Sequence, residues 1–245
     1  MRPDAYHEAV IRVLTEIQQS QASAIDQAAD LIFSSLAGEG VLHLFGSGHS
    51  HLVAEEAFHR AGGLVPVNTM TELFLSPLTP PKKSGRLERV SGIAAILLDY
   101  HEPRRGEILI IISNAGINPV PVELAIEAKQ RGLTVIAITS LRHARAATSR
   151  HASGKRLFEA ADLVIDNCGE TGDGALTLPG LAAKVGPTSL LAGAFIVNSI
   201  VCGVVERFLA NGLPPPVYLS ANLPGGDEHN RRLEEKYRGR IRLLT

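Results

Sequence analysis

The stretch "GEILIIISNAGINPVPVELAIEAKQRG", Gly106 to Gly132, decides the reading of this chain. Its first half is apolar through the centre, as expected of a strand covered by helices on both faces. A small polar turn follows, then Asn118 as helix N-cap and Pro119 at the first helical position. A strand that feeds a helix through a short turn is one unit of a parallel sheet.

The same alternation extends along the chain. Apolar runs of strand length stand at Val41 to Phe45, Leu64 to Val67, Ile108 to Ile112, Val135 to Ile138 and Leu163 to Ile165. Helices are predicted over Ser50 to Ala61, Leu87 to Tyr100, Pro119 to Arg131 and Pro187 to Asn211, the last stopped by Gly212 and "PPP". Upstream, Tyr6, Val10, Val13, Leu14, Ile17, Ile25, Ala28, Leu31 and Ile32 recur at helical spacing up to Gly38 and Gly40. That is one long helix or two, about 45 Å in all at ~1.5 Å per residue, so part of its face is expected to pack on a partner subunit. The tail "SANLPGGDEHNRRLEEKYRGR" reads as a loop plus a surface helix. No repeat or linker divides the chain, and residues 1–245 are read as a single domain.

Composition narrows the function classes. Lys plus Arg number 24 against 25 for Asp plus Glu, a formal net charge of -1, which offers no basic footprint for nucleic acid. The expected ligand is a small molecule. Cys168 and Cys202 stand far apart without metal-ligand spacing, which suits a reducing cytoplasm. No signal peptide is recognised. The apolar stretch Leu190 to Val205 is short for a membrane span and carries Asn198 and Ser199, so a core helix is expected and no membrane partner.

Ligands of open parallel sheets sit beyond the carboxyl ends of the strands, so the turns there carry the chemistry. In "FGSGHSH", Phe45 to His51, a dinucleotide fingerprint would want a glycine where His51 stands and an acid after the second strand, where Asn68 and Thr69 stand. Both departures argue against a dinucleotide, and no cofactor is expected. Gly46, Ser47, Gly48 and Ser50 still suit a phosphate or a sugar hydroxyl, with helix capping an equal explanation for Ser50. In "SNAGIN", Ser113, Asn114, Gly116 and Asn118 precede a helix whose free N–H groups and dipole would meet an anion. In "AKVGPTSLLAGAFIVN", Lys184 precedes Thr188 and Ser189, which either donate to a phosphate or only cap the helix.

These three segments in this order resemble the SIS (sugar isomerase) domain family, which binds phosphosugars. "FGSGHS" is similar to the family's first glycine loop, "SNAGIN" to its phosphate loop and "GPTSLLAGAFIVN" to the helix start that closes the site. "GHSH", "EE" and "RAGG" resemble the group related to phosphoheptose isomerases. The resemblance implies a three-layer α/β/α sandwich around a five-stranded parallel sheet, and a homodimer with sites near its interface. It also implies a phosphosugar ligand and an aldose-ketose isomerase acting through an enediol. An etherase that expels a C3 substituent, or a phosphosugar-sensing binding protein, are the other activities it implies.

Two departures stand out. The family's Ser-x-Ser-Gly-x-Thr phosphate loop is here Ser113 to Asn118, with two hydroxyls missing. Where phosphoheptose isomerases and muramic acid phosphate etherases carry a glutamate on the first-loop helix, an ungapped match puts Arg60, and Glu56 lies one turn earlier. The expected catalytic set is therefore Glu55 or Glu56 as the base at C2, between which spacing does not choose, with His49 or His51 moving protons on oxygen. His51, Glu55 and His59 recur at intervals of four, a ladder read as salt-bridge partners in preference to a metal site. Glu170 or Asp173 in "DNCGETGDGAL" is a lesser candidate for contact with sugar hydroxyls, and Asp227, Glu228 and His229 in the tail form an alternative acid and base set should the tail fold over the site.

Overall fold

The computed structural model describes residues 3–244. Two helices open it, α1 (Pro3–Ser20) and α2 (Ala22–Ala37). No glycine or proline causes the break between them. Ser20 Oγ donates to Glu16 O at 2.7 Å, a back-bond that bends helices, and Gln21 Oε1 accepts the main-chain N–H of Asp166 at 3.0 Å. The sheet thereby holds the joint. At the far end Glu39, not a glycine, takes the left-handed conformation at φ 63°.

The rest alternates as the sequence predicts: β1 (Leu42–Gly46), α3 (His51–Glu56), β2 (Val67–Thr69), α4 (Pro81–Leu87), α5 (Ile93–His101), β3 (Ile108–Ile112), α6 (Pro119–Gln130) and β4 (Thr134–Thr139). Then come α7 (Leu141–Ala146), α8 (Leu157–Ala160), β5 (Leu163–Asp166), the short hairpin β6 (Gly174–Leu176) and β7 (Val185–Pro187), α9 (Ser189–Ala210) and α10 (Gly226–Glu235). The five parallel strands take the order 2-1-3-4-5.

Side chains alternate across the sheet, which makes two cores. Leu42, Leu44, Ile108, Ile110, Ile112, Ile136 and Ile138 pack against α2 and α9. Phe45, Leu109, Ile111, Val135 and Ala137 pack against α5 and α6. Three layers result. Burial of these branched side chains contributes roughly 1.5–3 kcal/mol each and sets the strand register.

Several boundaries differ from expectation, each for a local reason. The second strand pairs only over Val67–Thr69, because Pro66 has no N–H to give and Leu64 bridges Val217 of the tail instead. The helix expected through Ala61 ends at Glu56, and His59 at φ 45° and Gly62 at φ 81° turn the chain back. The helix expected from Leu87 begins only at Ile93, because Gly92 adopts φ 89° and gives its N–H to Glu123, and a separate helix, α4, ends at Leu87. The helix α9 is long and apolar enough to cross a membrane, yet Ala192, Ile196, Val197, Ile200 and Val204 lie in the core beside α2.

The amino-terminal edge of the sheet holds a buried polar cluster. His43 Nε2 lies 2.9 Å from Glu107, and Asn68 Nδ2 lies 3.0 Å from His43 Nδ1 and 3.2 Å from His101 Nδ1. Burial pushes the Glu107 carboxyl up, but hydrogen bonds from His43, the Arg104 amide and Arg240 outweigh it and hold its pKa at about 2. Burial, with the charges of His43 and Arg242, lowers that of His101 to about 4. Arg240 belongs to the tail, which seals this edge with Tyr218, Tyr237 and Ile241 against Val41 and Val65.

Candidate functional site

The strand order reverses between β1 and β3, where Gly46 pairs with Ile112. Connections leave this point toward opposite faces and open a crevice at the carboxyl ends. Both glycine turns singled out in the sequence begin here.

The first turn is tight enough to demand glycine. A Cβ on Gly46 would stand 2.3 Å from Ser50 O, and Gly48 takes φ 55°. Ser50 does not cap α3; its own backbone is helical and the chain enters through a 3-10 turn over Gly48–Ser50. Ser47 is buried and donates to Glu88 Oε1 at 2.7 Å. His51 is 4% exposed, and its Nδ1–H donates to Gly48 O at 2.6 Å, so it braces the turn. His49 is exposed on the same turn.

The second turn is wired to its neighbours. Ser113 Oγ accepts the Gly116 N–H at 3.2 Å, and Gly116 stands at φ 60°. Asn114 Oδ1 accepts Asn167 Nδ2 at 2.9 Å, and Asn167 is almost fully buried. Asn118 is the N-cap of α6, as predicted, but makes no side-chain cap; its Oδ1 accepts Arg150 Nη1 at 2.7 Å. The helix supplies fewer free N–H groups than expected. Pro119 and Pro121 have none, and that of Val120 is bonded to Glu88 O at 3.1 Å.

At the third segment the anion comes from the chain itself. Asp173 Oδ1 accepts the N–H groups of Thr188 and Ser189 at 3.1 and 2.9 Å, and its Oδ2 accepts Ser189 Oγ at 2.7 Å. A carboxylate thus fills the α9 N-terminus that the sequence reading offered to a phosphate. Lys184 pairs with Glu170 at 3.2 Å, and Glu170 also takes Arg142 at 2.6 Å.

His49, Ser50, Val53, Ile112, Asn114, Asn167, Ser189 and Leu190 meet around a narrow cleft of about 10 Å³. Glu55 and Glu56 do not line it. Glu55 faces His51 at 3.4 Å with its side chain 47% exposed. Glu56 pairs with Arg60 and accepts Asn198 Nδ2 of α9 at 3.2 Å. Of the ladder read as salt-bridge partners, the His51–Glu55 rung forms, whereas His59 lies beyond the end of α3 and pairs with Glu234 at 3.2 Å instead. The tail trio lies away from the cleft: His229 bonds to Val217 O, Glu228 to Arg231, and Asp227 is in the first turn of α10.

Three side chains here are not singled out by residue order as site residues or partners: Glu88, Asn167 and Arg150. Asn167 carried a signal, being the first residue after β5. Glu88 and Arg150 follow no strand, and only the fold brings them to the turns.

A family model described as "SIS domain" matches residues 5–140. The chain is 43% identical over 244 residues to a UPF0309 protein of Caldanaerobacter subterraneus subsp. tengcongensis, covering 98% of this chain and 99% of that one. It is 39% identical over 242 residues to a UPF0309 protein of Shouchella clausii, covering 98% of each. Among solved structures, a phosphoheptose isomerase from Francisella tularensis superposes with a TM-score of 0.56 at 18% identity, over 84% of this chain and all of that one. The Vibrio vulnificus NanR protein complexed with ManNAc-6P superposes at 0.53 with 13% identity, over 98% of this chain and 69% of that one. Matching turns, strand order and full-length relatives agree: the chain belongs to the SIS domain family and, within it, to the UPF0309 proteins.

Proposed function

We propose that the protein is a phosphosugar-binding enzyme that interconverts an aldose phosphate and a ketose phosphate through an enediol. One observation carries this reading: the turns after β1 and β3 stand side by side at the switch point, and their polar groups converge on one cleft with Asn167 and Ser189. The ManNAc-6P held by the NanR protein, which has the same fold, supports a sugar phosphate as ligand.

Ser113, Asn114, Gly116 and Asn118 take the phosphate in this reading, and Ser47 and Ser50 meet sugar hydroxyls. His49 serves the oxygen atoms. Glu56 is the better base of the two carboxylates. It sits one helical turn from Val53, which lines the cleft, on the seam that Asn198 ties to α9. Glu55 lies toward His51 on another side of α3.

The cleft of about 10 Å³ is too small to enclose a sugar, and in this reading a second copy of the chain closes over it. The face for it is the groove of about 630 Å³ between α2 and α9, lined by Ile25, Ala29, Phe195 and Cys202, with Leu190 and Leu191 exposed beside it. A homodimer in the cytoplasm, where both free thiols persist, belongs to this reading.

The test is turnover in deuterated water with a panel of sugar phosphates. The parent protein is expected to place deuterium at C2 and form ketose; Glu56→Gln should lose at least ~100-fold in exchange rate while Glu55→Gln stays within about threefold. Exchange with loss of a C3 substituent would mark an etherase. Binding with no exchange in the parent protein would leave a binding protein and end the isomerase reading.

A further inference from the structure

The loop between α7 and α8, "TSRHASGKR", is clamped onto the second glycine turn. The Arg150 N–H donates to Ile117 O and the Leu157 N–H to Gly116 O, both at 2.8 Å. Ser149 Oγ closes the loop on Lys155 O at 2.7 Å. This main-chain splint brings the Arg150 guanidinium onto Asn118 Oδ1 at 2.7 Å.

The charge at that place lacks an opposite. Among the described residues Arg150 makes no ion pair, as Arg86, Arg104, Arg105 and Arg145 also make none, so its charge is open to an anion. It also stands at the positive end of the α6 dipole, where a cation is disfavoured. A like-signed contact held by a splinted loop becomes favourable once a dianion lies against the guanidinium and the turn together. The bond to Asn118 has a second effect. With its carbonyl oxygen engaged, the Asn118 amide presents its N–H₂ as a donor beside the remaining guanidinium N–H groups.

We propose that Arg150 is a phosphate-binding residue of the site, one that selects phosphorylated over free sugars. It compensates for the two hydroxyls that Ala115 and Asn118 do not supply and for the amides lost at Pro119, Val120 and Pro121. The inference rests on the phosphosugar reading of the turn and names the residue that supplies its positive charge. Guanidinium and phosphate match in geometry, and such charge-assisted bonds are about twice as strong as neutral ones.

Calorimetric titration of the full-length protein with a panel of hexose and pentose phosphates, the matching free sugars and inorganic phosphate tests it. Arg150→Gln keeps a donor for Asn118 and removes the charge; Arg150→Lys keeps the charge. The Gln variant is expected to bind the preferred sugar phosphate about tenfold or more weakly, with the Lys variant intermediate and the melting temperature of each close to that of the parent. Equal affinity in parent and Arg150→Gln overturns the inference and leaves the phosphosugar reading standing. So does equal weakening toward phosphorylated and free sugars, which would mark a residue that only shapes the turn. Failure of the parent to bind any phosphorylated probe overturns the phosphosugar reading, and the inference with it.

Discussion

Asp173 shows how much one side chain alters the site. Three donors at the start of α9 converge on its carboxylate, and it adopts φ 69°, a conformation that few non-glycine residues accept. It stands where a bound phosphate would otherwise profit from the helix dipole. Asp173→Ala is therefore expected to lower stability by about 1–2 kcal/mol, the usual cost of losing a cap with its hydrogen bonds, read as a lower urea midpoint. Phosphosugar affinity should stay within about twofold. A large fall in affinity with an unchanged midpoint would mean that Asp173 holds the ligand and not the helix.

Helix packing places the turn residues. The helix α3 is only six residues long and could not hold its direction alone. It is seated on α9 at Val53 and Gly193, where a Cβ on Gly193 would stand 2.7 Å from Val53 Cγ2. Gly193→Ala should cost roughly 1–3 kcal/mol by overpacking and tilt α3, with it Ser50 and His49 at the cleft. Val53→Ala alone leaves a void. The two together should recover at least half of the summed loss in a double-mutant cycle followed by thermal unfolding; strict additivity would show that the seam does not couple the helices.

Across the molecule, the two edges of the sheet divide the work. The carboxyl edge carries the glycine turns, and the amino edge carries the buried His43, Asn68, His101 and Glu107 cluster under the tail. The pH dependence of stability follows from that cluster. His101 falls from an ordinary 6.5 to about 4, so its contribution is complete above pH 6.5 and is lost as pH drops from 6.5 through 4. Glu107 falls from 4.5 to about 2, so its contribution is complete above pH 4.5 and is lost between 4.5 and 2. The melting temperature should decline in these two successive steps on acidification. In His101→Gln the first step should shrink; an unchanged slope between pH 6.5 and 4 would remove His101 from the account.

The parallel sheet, its flanking helices and the two glycine turns were legible from residue order, because strand burial and helix capping are local patterns. The run Ile108 to Ile112 matched its strand end to end. The function of individual polar groups was not legible in the same way. Residue order leaves His49 and His51 as alternatives for proton transfer, and phosphate contact and helix capping as alternatives for Thr188 and Ser189; the fold shows the buried His51 bonded to Gly48 O and the Thr188 and Ser189 donors bonded to Asp173. Hydrogen-bond partners lie far along the chain: Ser47 and Glu88 are 41 residues apart, Asn118 and Arg150 are 32, and Asn114 and Asn167 are 53. A side chain's chemistry is set by which donors and acceptors it has left, and that depends on neighbours brought together through space by the packed sheet and helices.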